Sequence, residues 1–255
     1  MTRIIAVCSG KGGAGKTTIT ANLGASLAEM GKDVVVLDAN LTTPNLGMHL
    51  GMPLYPVTLH DVLKGKASIN DAIYEHEKGL KIIPAGISLR DLRGVDARDL
   101  PNTMLDLLGN TDIVLVDTAA GLGREALSAL EAADEILLVT NPEMTSVTDA
   151  LKAVKLSEQV GTKPIGVVVN KRKGKSHEMS SDDIQLMLDG LEIVGEIPDD
   201  IDVQKSVAVR RPVVYNIPNS DAAYNIRKLA STVVNEEFTE KLPFKKRMMK
   251  FLFNR

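Results

Sequence analysis

The sequence predicts an α/β protein of three layers, a mostly parallel central sheet with helices on both faces. Three observations carry this. Short apolar runs recur along the 255 residues, separated by segments of helical period. A glycine-rich turn stands between the first run and the first helix. Apolar residues make up 44% of the chain, enough for a sizeable core. No run reaches ~18 apolar residues, so no spanning helix is expected.

The elements follow in order. Residues 4–8 read as a buried strand, and 16–30 as a helix whose apolar face is Ala21, Leu23, Leu27 and Ala28, stopped by Gly31. Val34 to Leu37 is a second strand, ending at Asp38. Residues 41–78 are mixed, with short helices over 46–50 and 59–63, and Leu80 to Ile83 is a strand closed by Pro84 and Gly86. Leu100-Pro101 precedes a helix that ends near Gly109. Ile113 to Val116 is a strand ending at Asp117, followed by a loop over 118–123 and a helix near 124–132. Residues 135–139 and 164–169 are strands, linked by a helix bearing Val147, Leu151, Val154 and Leu156. The basic stretch 171–178 reads as an exposed loop, 178–190 as a helix, 191–194 as a strand and 220–238 as a last long helix. With no internal repeat and no linker, the expected organisation is one domain, 1–240, and an appended tail, 241–255.

Charge divides the chain in the same place. The net charge is −3, but residues 241–255 hold six cations and no acid, leaving −9 on 1–240. A body of that sign gives no reason to expect nucleic acid, whereas the tail asks for an anionic or apolar partner. All four phenylalanines fall in the last 18 residues, so the core is expected to do without them. Cys8 is the single cysteine, which excludes an internal disulfide and a Cys-rich metal site within one chain. His49, His60, His76 and His177 have no metal-ligand spacing. Met1-Thr2-Arg3 runs straight into a strand pattern without a secretory signal, and a cytoplasmic protein is expected.

Gly10-Lys11-Gly12-Gly13-Ala14-Gly15-Lys16-Thr17 matches G-x-x-x-x-G-K-[ST] between a strand and a helix, the context a phosphate loop requires. Glycines let successive backbone N–H groups close around phosphoryl oxygens, and the helix behind places its positive end there. Lys16 should lie along the β- and γ-phosphates and the Thr17 hydroxyl should ligate Mg²⁺, with Thr18 beside it. Asp38 and Asp117 end apolar strands, where a parallel sheet lines its ligand crevice. Asp117 is the candidate partner of Mg²⁺ and its waters, and Asp38 the candidate for Mg²⁺ or attacking-water contacts. The plain alternative for each is a solvated carboxylate at a strand end.

Lys11 to Thr17 resembles the deviant Walker A loop of the MinD/ParA family, whose signature is the extra lysine, Lys11. The resemblance covers nearly the whole chain and implies a P-loop NTPase fold, ATP and Mg²⁺ as ligands, and hydrolysis to ADP and phosphate. It also implies a homodimer that sandwiches two ATP molecules, with Lys11 reaching the other subunit's phosphates. Asp38-Ala39-Asn40 with Pro44 to Gly47 resembles the first switch region, and Asp117 to Gly121 the second. Thr140 to Glu143, with Ser146 and Asp149, resembles a segment of the dimer face. Asn170-Lys171 and Ile197-Pro198-Asp199-Asp200 resemble adenine-contacting positions, for which turn formation is the plain alternative. The family usually has aspartate where this chain has Asn40. An amide accepts no proton as a base, so slow hydrolysis is expected, with Lys11, Lys16, Asp38 and Asn40 forming the catalytic set.

In the tail, Phe244, Met248, Phe251 and Leu252 fall at i, i+4, i+7 and i+8, with Lys245, Lys246, Arg247 and Lys250 between them. Such a helix would lie in a membrane interface and not cross it; packing back on the body and binding a protein are the alternatives. Each cation contributes around 1 kcal/mol at an anionic surface, so one tail binds weakly and two on a dimer bind by avidity. This resembles the membrane-targeting helix of the MinD branch. The expectation is a spatial-positioning ATPase, reversibly at the inner face of the cell membrane, with an activating or recruited protein partner. The alternatives are a ParA-like partitioning ATPase, an ATP-gated scaffold that does not hydrolyse, and a cluster carrier, which the single cysteine disfavours.

Overall fold

The structure is a computed structural model that describes residues 1–52 and 54–239. Its centre is one eight-stranded sheet, in the order β3-β4-β2-β5-β1-β6-β7-β8. The strands are β1 (Arg3–Cys8), β2 (Val34–Asp38), β3 (Tyr74–Glu75), β4 (Lys81–Ile83), β5 (Ile113–Asp117), β6 (Glu135–Thr140), β7 (Lys163–Arg172) and β8 (Ile193–Pro198). All pairs are parallel except β3 with β4. The helices are α1 (Lys16–Glu29), α2 (Leu46–His49), α3 (Leu59–Leu63), α4 (Leu100–Met104), α5 (Arg124–Glu131), α6 (Met144–Val160), α7 (Ser181–Met187), α8 (Ile201–Ala208), α9 (Val213–Asn216) and α10 (Asp221–Val233).

Strand residues alternate between two buried faces, so the runs are apolar throughout. Ile5, Val7, Val34, Val36, Ile113 and Leu115 pack with α1 and α10. Their neighbours Ile4, Val35, Leu37, Val114 and Val116 meet α3 and α4 on the other face. Ala6, Ile136, Leu138, Val167 and Val169 meet α6 and α7 there. Helix α1 packs on β1, β2 and β5 and alongside α10, which itself covers β8, and it is buried nearly all round, from Ile19 to Ala28.

Several expectations move. The strand expected at 191–194 is Ile193–Pro198, because an edge strand tolerates Glu196, whose carboxylate meets Arg172 at 3.3 Å. Strand β7 runs on to Arg172, two residues into the expected loop, and the helix expected over 178–190 is Ser181–Met187. The last helix stops at Val233, where Asn235 turns the chain with φ 55°. Helix α8 is an addition to the expected elements. Asp200 begins it: Oδ1 accepts from Asp202 N at 2.9 Å, while Oδ2 accepts from Ala222 N at 3.1 Å and ties in the start of α10. Phe238 packs edge-on against Tyr224, with centroids 5.2 Å apart. The tail 241–255, with its three other phenylalanines, lies outside the described residues. No helix among the described residues is long and apolar enough to cross a membrane.

Candidate active site

Residues 10–17 form the turn from β1 into α1. Gly15 takes φ 99°, a left-handed conformation, and a Cβ there would stand 2.2 Å from Asn170 Nδ2. Gly10 packs on the backbone of Asp149, where a Cβ would come within 2.1 Å of its carbonyl. The N-terminus of α1 has no side-chain cap and no acid in its first turn. Its free N–H groups and the positive end of its dipole therefore face an anion site.

The two lysines of the loop differ sharply. Lys16 is 8% exposed and donates to Ser9 Oγ at 3.0 Å, and Ser9 Oγ donates onward to the Lys11 carbonyl at 2.8 Å. Burial lowers the Lys16 pKa, against the pull of Asp117. Lys11 is exposed, and its ammonium makes no hydrogen bond or ion pair among the described residues.

Asp38 and Asp117 are register partners at the ends of β2 and β5. Asp38 is buried and accepts three backbone N–H groups, from Asn40 at 3.2 Å, Asn45 at 3.1 Å and Leu46 at 3.0 Å. Burial and then the Asp117 charge nevertheless hold its pKa well above the carboxylate range. Asp117 is fully buried and neither of its oxygens has a hydrogen-bond partner. Burial pushes it up to about 6, against the Thr17 and Thr20 hydroxyls and the Lys16 ammonium. Both hydroxyls stand close enough to act electrostatically, but the Thr20 proton is spent on the Lys16 carbonyl at 3.0 Å. Two buried carboxylates against one ammonium leave the pair short of positive charge. With the Thr17 hydroxyl beside them, this hard oxygen set fits Mg²⁺, which takes one or two protein oxygens and completes its shell with phosphate and water.

A cavity of about 820 Å³ opens across the start of α1, a size suited to a nucleotide. Gly13, Gly15, Lys16, Thr17, Thr18, Asn40, Asn170, Pro198 and Asp199 line it, as do Val203 and Gln204 of α8. Gly10, Lys11, Gly12, Ala14, Asp38 and Asp117 lie outside this lining; the two carboxylates are buried at the strand ends, and Lys11 faces solvent. Asn170 Nδ2 donates to the Ala14 carbonyl at 2.8 Å, so its amide supports the loop and leaves Oδ1 for a ligand. Asn40 is engaged with Thr43: Nδ2 donates to its carbonyl at 2.6 Å, and Oδ1 accepts from its N at 3.3 Å and Oγ1 at 3.1 Å. Thr42 joins Glu125 at the start of α5, through its N at 3.3 Å and through its hydroxyl, which bridges the two switch-like segments.

Sequence reasoning misses Ser9, Glu125 and the α8 residues, and it gives no sign that Lys171, read beside Asn170 at an adenine-contacting position, donates to the Gly13 carbonyl. Ser9 adjoins the motif, so adjacency is the available signal. Nothing in the local sequence points to Glu125 or to Val203 and Gln204.

A family model described as "ParA: NUBPL iron-transfer P-loop NTPase" matches residues 1–234. The chain is similar to an uncharacterised ATP-binding protein of Methanocaldococcus jannaschii, at 40% identity over 98% of this chain and 97% of that one. It is similar to the septum site-determining protein MinD of Thermotoga maritima, at 35% identity over 92% and 89% of the two chains. Among solved structures, that of septum site-determining protein MinD from Pyrococcus horikoshii, complexed with Mg-ADP, superposes with a TM-score of 0.88. Its identity is 37%, covering 91% of this chain and 96% of that one. The iron transfer in the family description calls for accessible thiolates. Cys8 is 4% exposed in β1, and burial pushes its thiol up to about 12.

Proposed function

The chain belongs to the MinD/ParA family of deviant Walker A ATPases, and on that premise we propose a membrane-associated switch whose ATP state sets its dimerisation and so its attachment. It is a MinD-like positioning ATPase that binds ATP with Mg²⁺ and hydrolyses ATP. In our reading residues 1–240 are the ATPase domain and 241–255 the membrane-targeting tail. The structure under positional control is the division site or another assembly at the cell surface. The protein works in the cytoplasm and visits the inner face of the membrane, and a protein partner is recruited by the dimer or stimulates its turnover.

The contrast between the two loop lysines carries this reading. Lys16 is buried at the start of α1, whereas Lys11 stands exposed and unpaired among the described residues. A lysine already held inside serves its own subunit's phosphates. A lysine held outside is placed to meet charge presented by a second copy, as an arginine finger does. ATP, with one phosphate more than ADP, would attract it more strongly.

Within the site, Gly10 to Thr18 hold the phosphates. Thr17, Asp117 and, through water, Asp38 would hold Mg²⁺, which neutralises phosphate charge when bound. Asn170 Oδ1 would accept from the adenine amino group, with Pro198 and Asp199 along the base. Asn40 offers no proton acceptor to an attacking water, and its amide is engaged with Thr43, which supports slow turnover.

The test is sedimentation with anionic liposomes in ATP-Mg²⁺ and ADP-Mg²⁺, with dimerisation and phosphate release followed in parallel. ATP-selective dimerisation and sedimentation, lost from the membrane alone when residues 243–255 are removed, is the expected result. Sedimentation without regard to nucleotide, or surviving that truncation, would sink the switch.

A further inference from the structure

We propose that Lys171 is a positioning residue for nucleotide binding, a strap that holds the phosphate loop in its binding shape before the ligand arrives. The proposal rests on the ATP reading of the loop and adds a residue to it. Lys171 Nζ donates to the Gly13 carbonyl at 2.8 Å, and its neighbour Asn170 donates to the Ala14 carbonyl, also at 2.8 Å. Two adjacent residues of β7 thus hold two adjacent carbonyls of the loop.

Consecutive side chains on a strand point to opposite faces and cannot ordinarily reach one target. Here the backbone changes course between them. Lys171 takes φ 58°, a left-handed conformation that residues with a Cβ adopt at a cost. The pairing of β7 with β8 loses its regular register at the same place, between Val169 and Arg172. The irregularity aims the ammonium at the loop.

The loop needs such a hold at Gly13. That residue takes φ 82°, and a Cβ built on it would meet nothing within 4 Å, so packing does not fix its peptide. In a planar trans peptide the C=O and the following N–H point in opposite directions. Holding the carbonyls of Gly13 and Ala14 toward β7 turns the N–H groups of Ala14 and Gly15 the other way, to the side on which an anion is received.

The experiment compares the wild type with Lys171→Met, Lys171→Arg and Lys171→Gly. Hydrogen exchange is read at Ala14 and Gly15 without nucleotide, and affinity is measured for ATP-Mg²⁺, ADP-Mg²⁺ and adenosine. Lys171→Met is expected to speed exchange at both amides by about tenfold and to weaken ATP and ADP alike by about tenfold, the scale of one charge-assisted hydrogen bond. Adenosine, which has no phosphate, should lose much less affinity than ATP or ADP although Lys171 borders the cavity, and Lys171→Arg should recover most of both losses. Lys171→Gly relieves the backbone without restoring the strap and should resemble Lys171→Met. Unchanged loop exchange in Lys171→Met overturns the proposal: with weaker ATP binding it would make Lys171 a direct contact, and without it a surface lysine. Wild-type behaviour of Lys171→Gly would also overturn it. A wild type that binds no ATP would defeat the nucleotide reading, while the exchange data would still judge the strap.

Discussion

The two sides of β1 are finished to different degrees. Toward β5 and β2, the sheet ends in Asp117 and Asp38, two buried carboxylates whose needs exceed the one ammonium beside them. Toward β6 and β7 more polar groups are matched: Asn170 and Lys171 hold loop carbonyls, and the Ser146 hydroxyl accepts from Thr140 Oγ1 at 3.0 Å and Asn141 N at 3.1 Å, with Asn141 Oδ1 left unpartnered. One side is built before the ligand comes. The other is left short of positive charge, and in the function proposed above a cation bound with phosphate completes it. The lesson is a division of labour, shape on one side and charge on the other.

The largest effect should come from the residue the two sides share. Lys16→Gln removes the ammonium facing Asp117 and the donor to the phosphates. Truncating one partner of a buried charge pair formed on binding costs about 2–5 kcal/mol, so ATP binding should weaken about a hundredfold by calorimetry. Retained affinity would place the phosphates elsewhere. Next comes Gly15→Ala, which sets a Cβ against Asn170 Nδ2 at a left-handed position and should destabilise the fold by about 2–4 kcal/mol in urea. Adding Asn170→Ala relieves the clash and should recover part of that loss. No recovery would mean that strain in the turn, and not the contact with β7, sets the cost.

Asp117→Asn tests the unfinished side. The folded-state pKa of Asp117, about 6, lies above the ordinary carboxylate value of 3.8, so the native state holds this proton more tightly. That contribution is fully present below the ordinary value and is lost as pH rises through about 6. Nucleotide-free Asp117→Asn should therefore be more stable than wild type near pH 7, by roughly 2–3 kcal/mol at about 1.4 kcal/mol per pKa unit. Near pH 4 the two should converge. Mg²⁺ with nucleotide should raise the wild-type melting temperature far more than the variant's. A variant less stable at pH 7 would show that Asp117 is satisfied without metal. The smallest effect expected is that of Asn40→Asp, about tenfold faster hydrolysis with little change in ATP affinity. Equal rates would show that Asn40 is a loop-closing residue and does not limit the chemistry.

Legibility in the sequence follows the same division. The phosphate loop is contiguous and its chemistry is local, so the motif alone places Lys16 and Thr17. Asp38 and Asp117 are legible as the first polar residues after apolar runs. Their adjacency requires the strand order 2-5-1, which nothing local encodes. The right half is harder. Strand β8 carries Glu196 and Gly195 on an edge, which breaks the apolar run that marks a strand. Helix α8 exposes Ile201 at 58% and Val207 at 37%, so its sequence lacks a clean buried stripe. Lys171 reads as the start of an exposed basic loop and as an adenine-contacting position, and its contact with residue 13 is illegible because the two meet only when the chain is folded.

The borders of the sheet carry a last consequence. On one side the two-residue antiparallel β3 covers β4 and then gives way to His76 and a 3₁₀ turn. On the other, β8 ends in Pro198, which has no amide hydrogen to offer. The shortness of β3 and the proline at the end of β8 each limit the length of border that another strand could pair with. In the ATP-bound dimer proposed above, association uses the loops at the strand ends, and two like faces that meet there close the assembly at two.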